Sequence, residues 1–90
     1  SSIISGLSSS SLRIEVKDQS GVLLSITKSF AQNKISIKNL IQNPDKKNKR
    51  ASVIIITHKS LEKNYKKLLS ALSKNKFVIK KPTFIRIENV

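Results

Sequence analysis

Asp18, Ser20 and Gly21 stand together at the start of an apolar run, in the stretch KDQSGVLLSITKSF (residues 17–30). The chain has only two glycines, so a glycine at this place calls for a physical reason. Apolar residues then recur at helical spacing, at Val22, Leu23, Ile26 and Phe30. The amides at a helix N-terminus are free and carry a partial positive charge, and glycine allows a ligand to approach them closely.

A carboxylate at the same helix end extends this chemistry. If Asp18 lies beside the free amides, the two together suit a zwitterion, with its carboxylate on the amides and its ammonium on Asp18. The same residues also suit a tight turn from strand to helix, in which Asp18 or Ser20 caps the helix. The local pattern taken alone favours the turn, and both interpretations stay open at this point.

Residues that could perform catalysis are sparse. His58 is the one histidine and stands at the end of an apolar run, which is typical of a surface residue. The acids are scattered over Glu15, Asp18, Asp45, Glu62 and Glu88, without a carboxylate pair or a metal-binding cluster. Two glycines cannot build a GxGxxG or P-loop motif. We therefore predict no catalytic residue, no metal site and no cofactor in this chain.

The elements that must position Asp18 and Gly21 follow from periodicity. Alternation predicts strands over residues 12–17, 35–42 and 76–90, with a bulge near Asn39–Leu40 and an interruption at Pro82. ASVIIIT (residues 51–57) is apolar on both faces, as in a central strand. Helical stripes predict helices after Gly21, ending at Asn33–Lys34, and over residues 60–75 with Ser60 as N-cap.

This order, βαββαβ, predicts an α+β fold: a ferredoxin-like sandwich of a four-stranded antiparallel sheet with two helices on one face. If the first and last strands pair, Glu15 is expected opposite Arg86, and Arg13 opposite Glu88. Ninety residues suggest one domain, here residues 12–90. The serine-rich residues 1–11 are typical of a linker or a disordered segment.

The chain has no cysteine, no apolar run of membrane-spanning length and no secretory signal at its start. We therefore expect a cytoplasmic protein without a membrane partner. The strand ASVIIIT has apolar residues on both of its faces, whereas the predicted helices cover only one face of the sheet. The uncovered face predicts a partner surface, and two-fold self-association is the commonest arrangement.

The net charge of +13 raises nucleic acid as a partner. The positive residues are nearly all lysine and are spread along a chain rich in Ile and Asn, which the composition of an AT-rich genome also explains. RNA-binding ferredoxin-like folds stack bases on sheet aromatics, but Phe30 and Tyr65 fall on helical stripes and the middle strand has no aromatic. Nucleic acid is thus a disfavoured partner, and a basic RNA-binding module is kept as the alternative function.

Three stretches carry a family resemblance: LRIEVKDQSGVLLSITKSFAQNKISIKNLIQNP, ASVIIITH and KKPTFIRIE. Over residues 12–88 the chain resembles an ACT domain, most of all the C-terminal ACT domain of bacterial homoserine dehydrogenases. The family pattern D-x-P-G-V-L falls on Asp18, Gly21, Val22 and Leu23. Ser20 stands where the family usually has proline, which predicts a less rigid loop.

The resemblance implies a regulatory module that binds an amino acid between two copies. Its implied ligand-binding residues are Asp18, Gln19, Gly21, Val22 and Leu23, with Ser36 and Asn39 opposite. The implied effector is threonine, and the implied partners are a second copy, as a dimer, and the catalytic domain of a parent enzyme. That enzyme would reduce aspartate semialdehyde to homoserine with NAD(P)H. A dimerisation-only ACT domain is a further alternative.

Overall fold

The computed structural model describes residues 7–87 as strands and helices in the order βαβββαβ. The strands are β1 (Leu7–Lys17), β2 (Ile37–Asp45), β3 (Arg50–Thr57), β4 (Ser60–Leu61) and β5 (Thr83–Ile87). The helices are α1 (Val22–Gln32) and α2 (Glu62–Ser73). Neither helix of the described residues has the length and apolar character that crossing a bilayer requires.

The sheet is antiparallel and β1 lies in its interior. β1 pairs with β3 on one side over residues 11–17 and with β5 on the other side over residues 9–13. β2 pairs with the far side of β3, and the two-residue β4 pairs with Leu7 and Ser8. β2 is therefore an edge strand. The register of β2 shifts between Ile37 and Asn39, so the predicted bulge is present just before its expected position.

One face of the sheet is covered by both helices. Alternate residues of β1 and β3 are buried there: Leu12, Ile14, Val16, Ala51, Val53 and Ile55. They share one core cluster with the buried stripes of the helices: Val22, Ile26 and Phe30 of α1, and Tyr65, Leu68 and Leu72 of α2. The predicted ferredoxin-like sandwich is confirmed, with β4 as a short additional strand.

β1 begins five residues earlier than predicted. Residues 7–11 were assigned to a linker because of their serines, but they form strand pairs with β4 and β5, and Ser10 is fully buried. Strand pairing satisfies backbone groups whatever the side chain is, so a serine run can serve as a central strand. Residues 1–6 of the predicted linker lie outside the described residues.

Buried hydroxyl groups hold this serine-rich part of β1 in place. The Ser10 amide donates to Thr57 Oγ1 (3.1 Å), and Tyr65 Oη lies 2.7 Å from Thr57 Oγ1 and donates to the Ser8 carbonyl (2.6 Å). Because the one tyrosine proton goes to Ser8, the Thr57 hydroxyl donates to Tyr65. The resulting chain of hydrogen bonds joins β1, β3 and α2.

The last strand was predicted from residue 76, but β5 begins at Thr83. Before it, Val78 forms an isolated bridge with Val16, and the chain from there to Pro82 departs from the edge of β1. The Ile79 amide donates to the Glu15 carbonyl (2.9 Å), and β5 pairs with residues 9–13 of β1, so the expected pairing of Glu15 with Arg86 is wrong. Arg86 faces Ser10 of β1 and forms a salt bridge with Glu62 of α2. Arg13 instead pairs with Glu15 at 3.1 Å, and Glu88 lies outside the described residues.

The helix ends agree in part with the sequence. α1 ends at Gln32 with Asn33 as its C-cap, and Lys34 follows with φ 59°, a left-handed conformation that reverses the chain. The predicted N-cap of α2 is wrong, since Leu61 takes that position and no side chain caps the helix. The Ser60 hydroxyl donates to the His58 carbonyl (3.2 Å) instead, because Ser60 belongs to β4.

Candidate ligand-binding site

A cleft of about 260 Å³ opens between the start of α1 and the end of β2. Buried apolar residues form its floor: Val16, Val22, Ala51 and Val53. Half-buried Leu23 and a set of exposed residues surround it: Lys17, Asp18, Gln19, Gly21, Leu24 and Gln42. The five predicted site residues of the loop and first helical turn all line this one cleft.

Gly21 occupies the N-cap position of α1 in a left-handed conformation, with φ 85°. A side chain with a Cβ rarely adopts this conformation, so the backbone itself accounts for the glycine. A Cβ built on Gly21 would meet no atom within 4 Å, so close approach of another part of this chain does not account for it. The turn is closed by a bond of 3.4 Å from the Val22 amide to the Gln19 carbonyl.

α1 begins without a side-chain cap. The interpretation of Asp18 or Ser20 as an N-cap is therefore wrong, because Gly21 itself occupies the N-cap position in a left-handed conformation. Within residues 7–87, the amides of Leu23 and Leu24 donate no hydrogen bond, and the Asp18 carboxylate forms neither a hydrogen bond nor a salt bridge. Free donors and a free carboxylate thus border the same cleft.

Ser36 and Asn39 do not join this cleft. Ser36 lies about six strand residues, roughly 20 Å, before Gln42 along the chain, and it lines a different cleft with Phe30 and Lys34. Asn39 pairs with Ile56 on the sheet face away from the helices, and its side chain accepts a bond from the Leu40 amide (2.9 Å). One chain therefore does not bring these two residues to the loop.

Sequence reasoning missed Gln42 and Leu24. Gln42 enters the cleft because it pairs with Val53 on the helix-covered face of the sheet. The bulge before Asn39 changes which residues of β2 face the helices, so simple alternation from Ile35 could not assign Gln42 to that face. Leu24 lies three residues after Gly21, and its place beside the cleft depends on where the helix begins.

The left-handed turn gives a direct prediction for Gly21→Ala. Since alanine resists φ 85°, we expect the free energy of unfolding to fall by about 1–2 kcal/mol, measured by urea denaturation. Gly21→Asn is expected to cost less, because asparagine tolerates this conformation better. The control is Ser20→Ala at the exposed neighbouring residue, with an expected change within about 0.5 kcal/mol. Equal stability of Gly21→Ala and the wild type would contradict the prediction.

The aromatic residues do not form a base-stacking platform. Phe30 and Tyr65 are fully buried in the helices, and Phe84 packs against Tyr65 with ring centroids 5.2 Å apart. Phe77 packs against the same core. These are all the aromatic residues of the chain, so the other face of the sheet carries none. No feature of the sheet favours the RNA-binding alternative.

A family model described as "ACT domain" matches residues 10–77. Among curated proteins, the chain is 36% identical over 79 residues to a homoserine dehydrogenase of Neisseria gonorrhoeae (strain ATCC 700825 / FA 1090). It is 34% identical over 77 residues to a homoserine dehydrogenase of Helicobacter pylori (strain ATCC 700392 / 26695). These alignments cover 88% and 86% of this chain but only 18% of each relative, so the chain spans about a fifth of their length.

Solved structures agree with these relatives. A homoserine dehydrogenase from Thiobacillus denitrificans superposes with a TM-score of 0.82 at 29% identity, over 92% of this chain and 18% of that one. The ACT domain from a GTP pyrophosphokinase of Chlorobium tepidum superposes with a TM-score of 0.68 at 18% identity, over 90% of this chain and 99% of that one. The second likeness concerns the fold alone.

Proposed function

The chain belongs to the ACT domain family, and from that premise we propose that it is the regulatory module of a homoserine dehydrogenase and binds an amino acid, threonine, as a feedback effector. The observation that carries the proposal is the cleft at the start of α1. There the Asp18 carboxylate and the amides of Leu23 and Leu24, none of which has a hydrogen-bond partner within residues 7–87, border one small space.

The chemistry of the cleft suits an α-amino acid. An ammonium group would bind Asp18, and a carboxylate would accept hydrogen bonds from the helix amides, which carry a partial positive charge. The apolar floor of Val16, Ala51 and Val53 would receive a short side chain. Sites for drug-sized ligands occupy about 300–1,000 Å³, so a cleft of about 260 Å³ suits a small amino acid rather than a nucleotide.

The proposed site is completed by a second copy. β2 is an edge strand with free backbone groups, and antiparallel two-fold pairing of two such edges sets the start of one β2 against the end of the other. Gln42 lies near the end of β2 and lines the cleft, whereas Ser36 and Asn39 lie at its start. Pairing of β2 edges therefore offers a way to bring Ser36 of a second copy towards the cleft of the first, whereas Asn39 would stay on the sheet face away from the helices.

The remaining activity belongs to the parent enzyme in this proposal. That enzyme would reduce aspartate semialdehyde to homoserine with NAD(P)H in the cytoplasm, with the ACT domain attached to its catalytic domain. With two glycines this chain builds neither of the glycine-rich nucleotide loops, so NAD(P) would be held by the catalytic domain. In this proposal, the 90-residue chain binds the effector and couples that binding to the association of two copies.

Calorimetric titration with a panel of amino acids tests the proposal. We expect saturable binding of threonine by the 90-residue chain, with weaker binding of glycine, which lacks a side chain for the apolar floor. Valine, close to threonine in shape but without its hydroxyl, reports whether that hydroxyl contributes. If no amino acid of the panel binds at millimolar concentration, the sensing function is wrong and the dimerisation-only alternative takes its place.

A mixing experiment tests whether the site spans two copies. One variant is Asp18→Asn, and the other is Ser36→Ala. Each alone is expected to bind threonine weakly. In an equilibrated equal mixture, half of the two-fold pairs combine both variants and contain one intact site, so about a quarter of the wild-type sites should reappear. A mixture that binds no better than its components would contradict a site shared between copies.

A further inference from the structure

The sheet face opposite the helices carries five isoleucines. Ile85 is 59% exposed, Ile41 46% and Ile87 36%, and Ile54 and Ile56 are half-buried. The pairing register makes this set continuous: Ile41 is opposite Ile54, and Ile56 and Ile85 flank Ser11 of β1 on its two sides. We refer to these five isoleucines, with Ser11, Arg13, Glu15 and Ser52, as the open face.

The open face carries little net charge, although the whole chain is strongly positive: the register places Arg13, Lys17 and Arg50 on it together with Glu15 and Asp45. Of fifteen lysines, only Lys17 and Lys38 belong to strands β1, β2, β3 or β5, and each stands at or near a strand end. Arg13 and Glu15 lie in the middle of the face and pair with each other at 3.1 Å. Ser52 also donates to Glu15 (2.7 Å), which with Arg13 holds the pKa of that carboxyl below its ordinary value.

We propose that the open face packs against the open face of a second copy, in a contact distinct from the pairing of β2 edges. A large apolar patch on a soluble chain marks an interaction surface. Two copies of net charge +13 repel each other wherever their lysines meet, and the open face is the surface where the lysines are few. Arg13 and Glu15 at its centre oppose each other within each copy, so burying them brings no net charge into the contact, although their desolvation opposes it.

Distances support a second copy as the occupant. Stacked sheets lie about 10 Å apart, and each pair of helices would lie on the outer side of its own sheet. The helix lysines of the two copies would then be separated by well over the Debye length of about 8 Å at physiological salt. Four strands spaced about 4.8 Å apart and eight residues long cover roughly 500 Å² in flat projection. Protruding side chains increase the area of the open face towards the value of about 800 Å² that each partner buries in a stable complex.

Ile85→Lys tests the contact by sedimentation velocity over a range of concentrations. A charge within an isologous apolar contact occurs twice, and we expect the association constant of this contact to fall about a hundredfold or more. Ser70→Lys adds the same charge on the exposed side of α2 and is expected to associate like the wild type. Circular dichroism establishes that both variants are folded.

Three results would overturn the proposal: a wild-type chain that stays monomeric, an Ile85→Lys chain that associates like the wild type, or an equal loss of association in Ser70→Lys. The first two would leave the open face for a different partner, such as a catalytic domain. Amino-acid binding is a separate readout. If the chain associates through the open face but binds no amino acid, the proposed function is rejected and the open-face contact is not.

Cross-linking supplies a second measurement that does not require a variant that breaks the contact. The chain has no cysteine, so single-cysteine variants are unambiguous. Ser11→Cys lies in the middle strand of the open face and changes one atom, whereas Ser70→Cys lies on α2. A short bis-maleimide is expected to join Ser11→Cys chains into covalent dimers at least about tenfold faster than Ser70→Cys chains, as effective concentration within a complex dictates. Equal rates for the two variants would contradict the contact.

Discussion

Asp18→Asn is expected to weaken threonine binding by about thirtyfold or more. In the proposed site the ammonium group of the ligand binds the Asp18 carboxylate, and removing one partner of such a charge pair costs about 2–5 kcal/mol. Since 1.4 kcal/mol is a factor of ten, the lower limit corresponds to about thirtyfold. Asparagine has the shape of aspartate without its charge, so the change isolates electrostatic recognition of the ammonium. Isothermal titration calorimetry measures the effect.

The matched control is Glu62→Gln. This variant removes the same charge at the start of α2, which lies beyond the other end of β3 from the cleft, and we expect threonine affinity to change less than about twofold by the screening of distant surface charges. Asp18 caps no helix in the structure, so Asp18→Asn is also expected to leave stability within about 0.5 kcal/mol of the wild type. If threonine affinity survives Asp18→Asn, the carboxylate does not bind an ammonium and Gly21 marks a turn only.

Tyr65→Ala is expected to have the largest effect on folding. The ring is fully buried, and truncation of a buried aromatic costs about 3–5 kcal/mol. The whole stability of a small domain is about 5–15 kcal/mol, so this variant should be largely unfolded in moderate urea. Tyr65→Phe keeps the ring packed on Phe84 but removes its hydroxyl from Ser8 and Thr57. Leaving those buried groups unpaired is expected to cost about 1–3 kcal/mol.

A double-mutant cycle with Thr57→Val tests whether the hydroxyls act as one chain of hydrogen bonds. Valine matches threonine in shape and removes the hydroxyl that joins the Ser10 amide to Tyr65. If the bonds depend on each other, the cost of Tyr65→Phe/Thr57→Val should differ from the sum of the single costs by about 0.5–3 kcal/mol. Simple additivity, or Tyr65→Phe as stable as the wild type, would contradict the role assigned to the Tyr65 hydroxyl.

The hydroxyl chain also shows why the start of the domain could not be read from the sequence. A run of serines has the composition of a linker, and its role as a strand depends on partners more than forty residues away: Thr57, Tyr65 and β5. The position of β5 itself was missed for a related reason. The departure of the chain between Val78 and Pro82 sets the register, so Arg86 meets Glu62 rather than Glu15.

The residues of the candidate site also fall into two groups: those that the local sequence predicts and those that depend on the pairing of distant strands. Apolar spacing and a glycine before a helix were enough to group Asp18, Gln19, Gly21, Val22 and Leu23, because neighbours in sequence at a helix start are neighbours in space. Gln42 joins them only through the pairing of β2 with β3 after a bulge. That pairing also separates Ser36 and Asn39 from the cleft of their own chain.

The sequence by itself determined the order βαββαβ, the helical stripes, the central position of ASVIIIT and the place of Gly21, since periodicity and local backbone preference operate within one element. Tertiary structure alone decided that Ser10 is buried, that Asp18 caps no helix, and that the open face unites isoleucines from three strands. These features depend on strand register and on the left-handed turn at Gly21. Register depends on how the hydrophobic patterns of two distant segments match, and the pattern of one segment alone does not identify its partner.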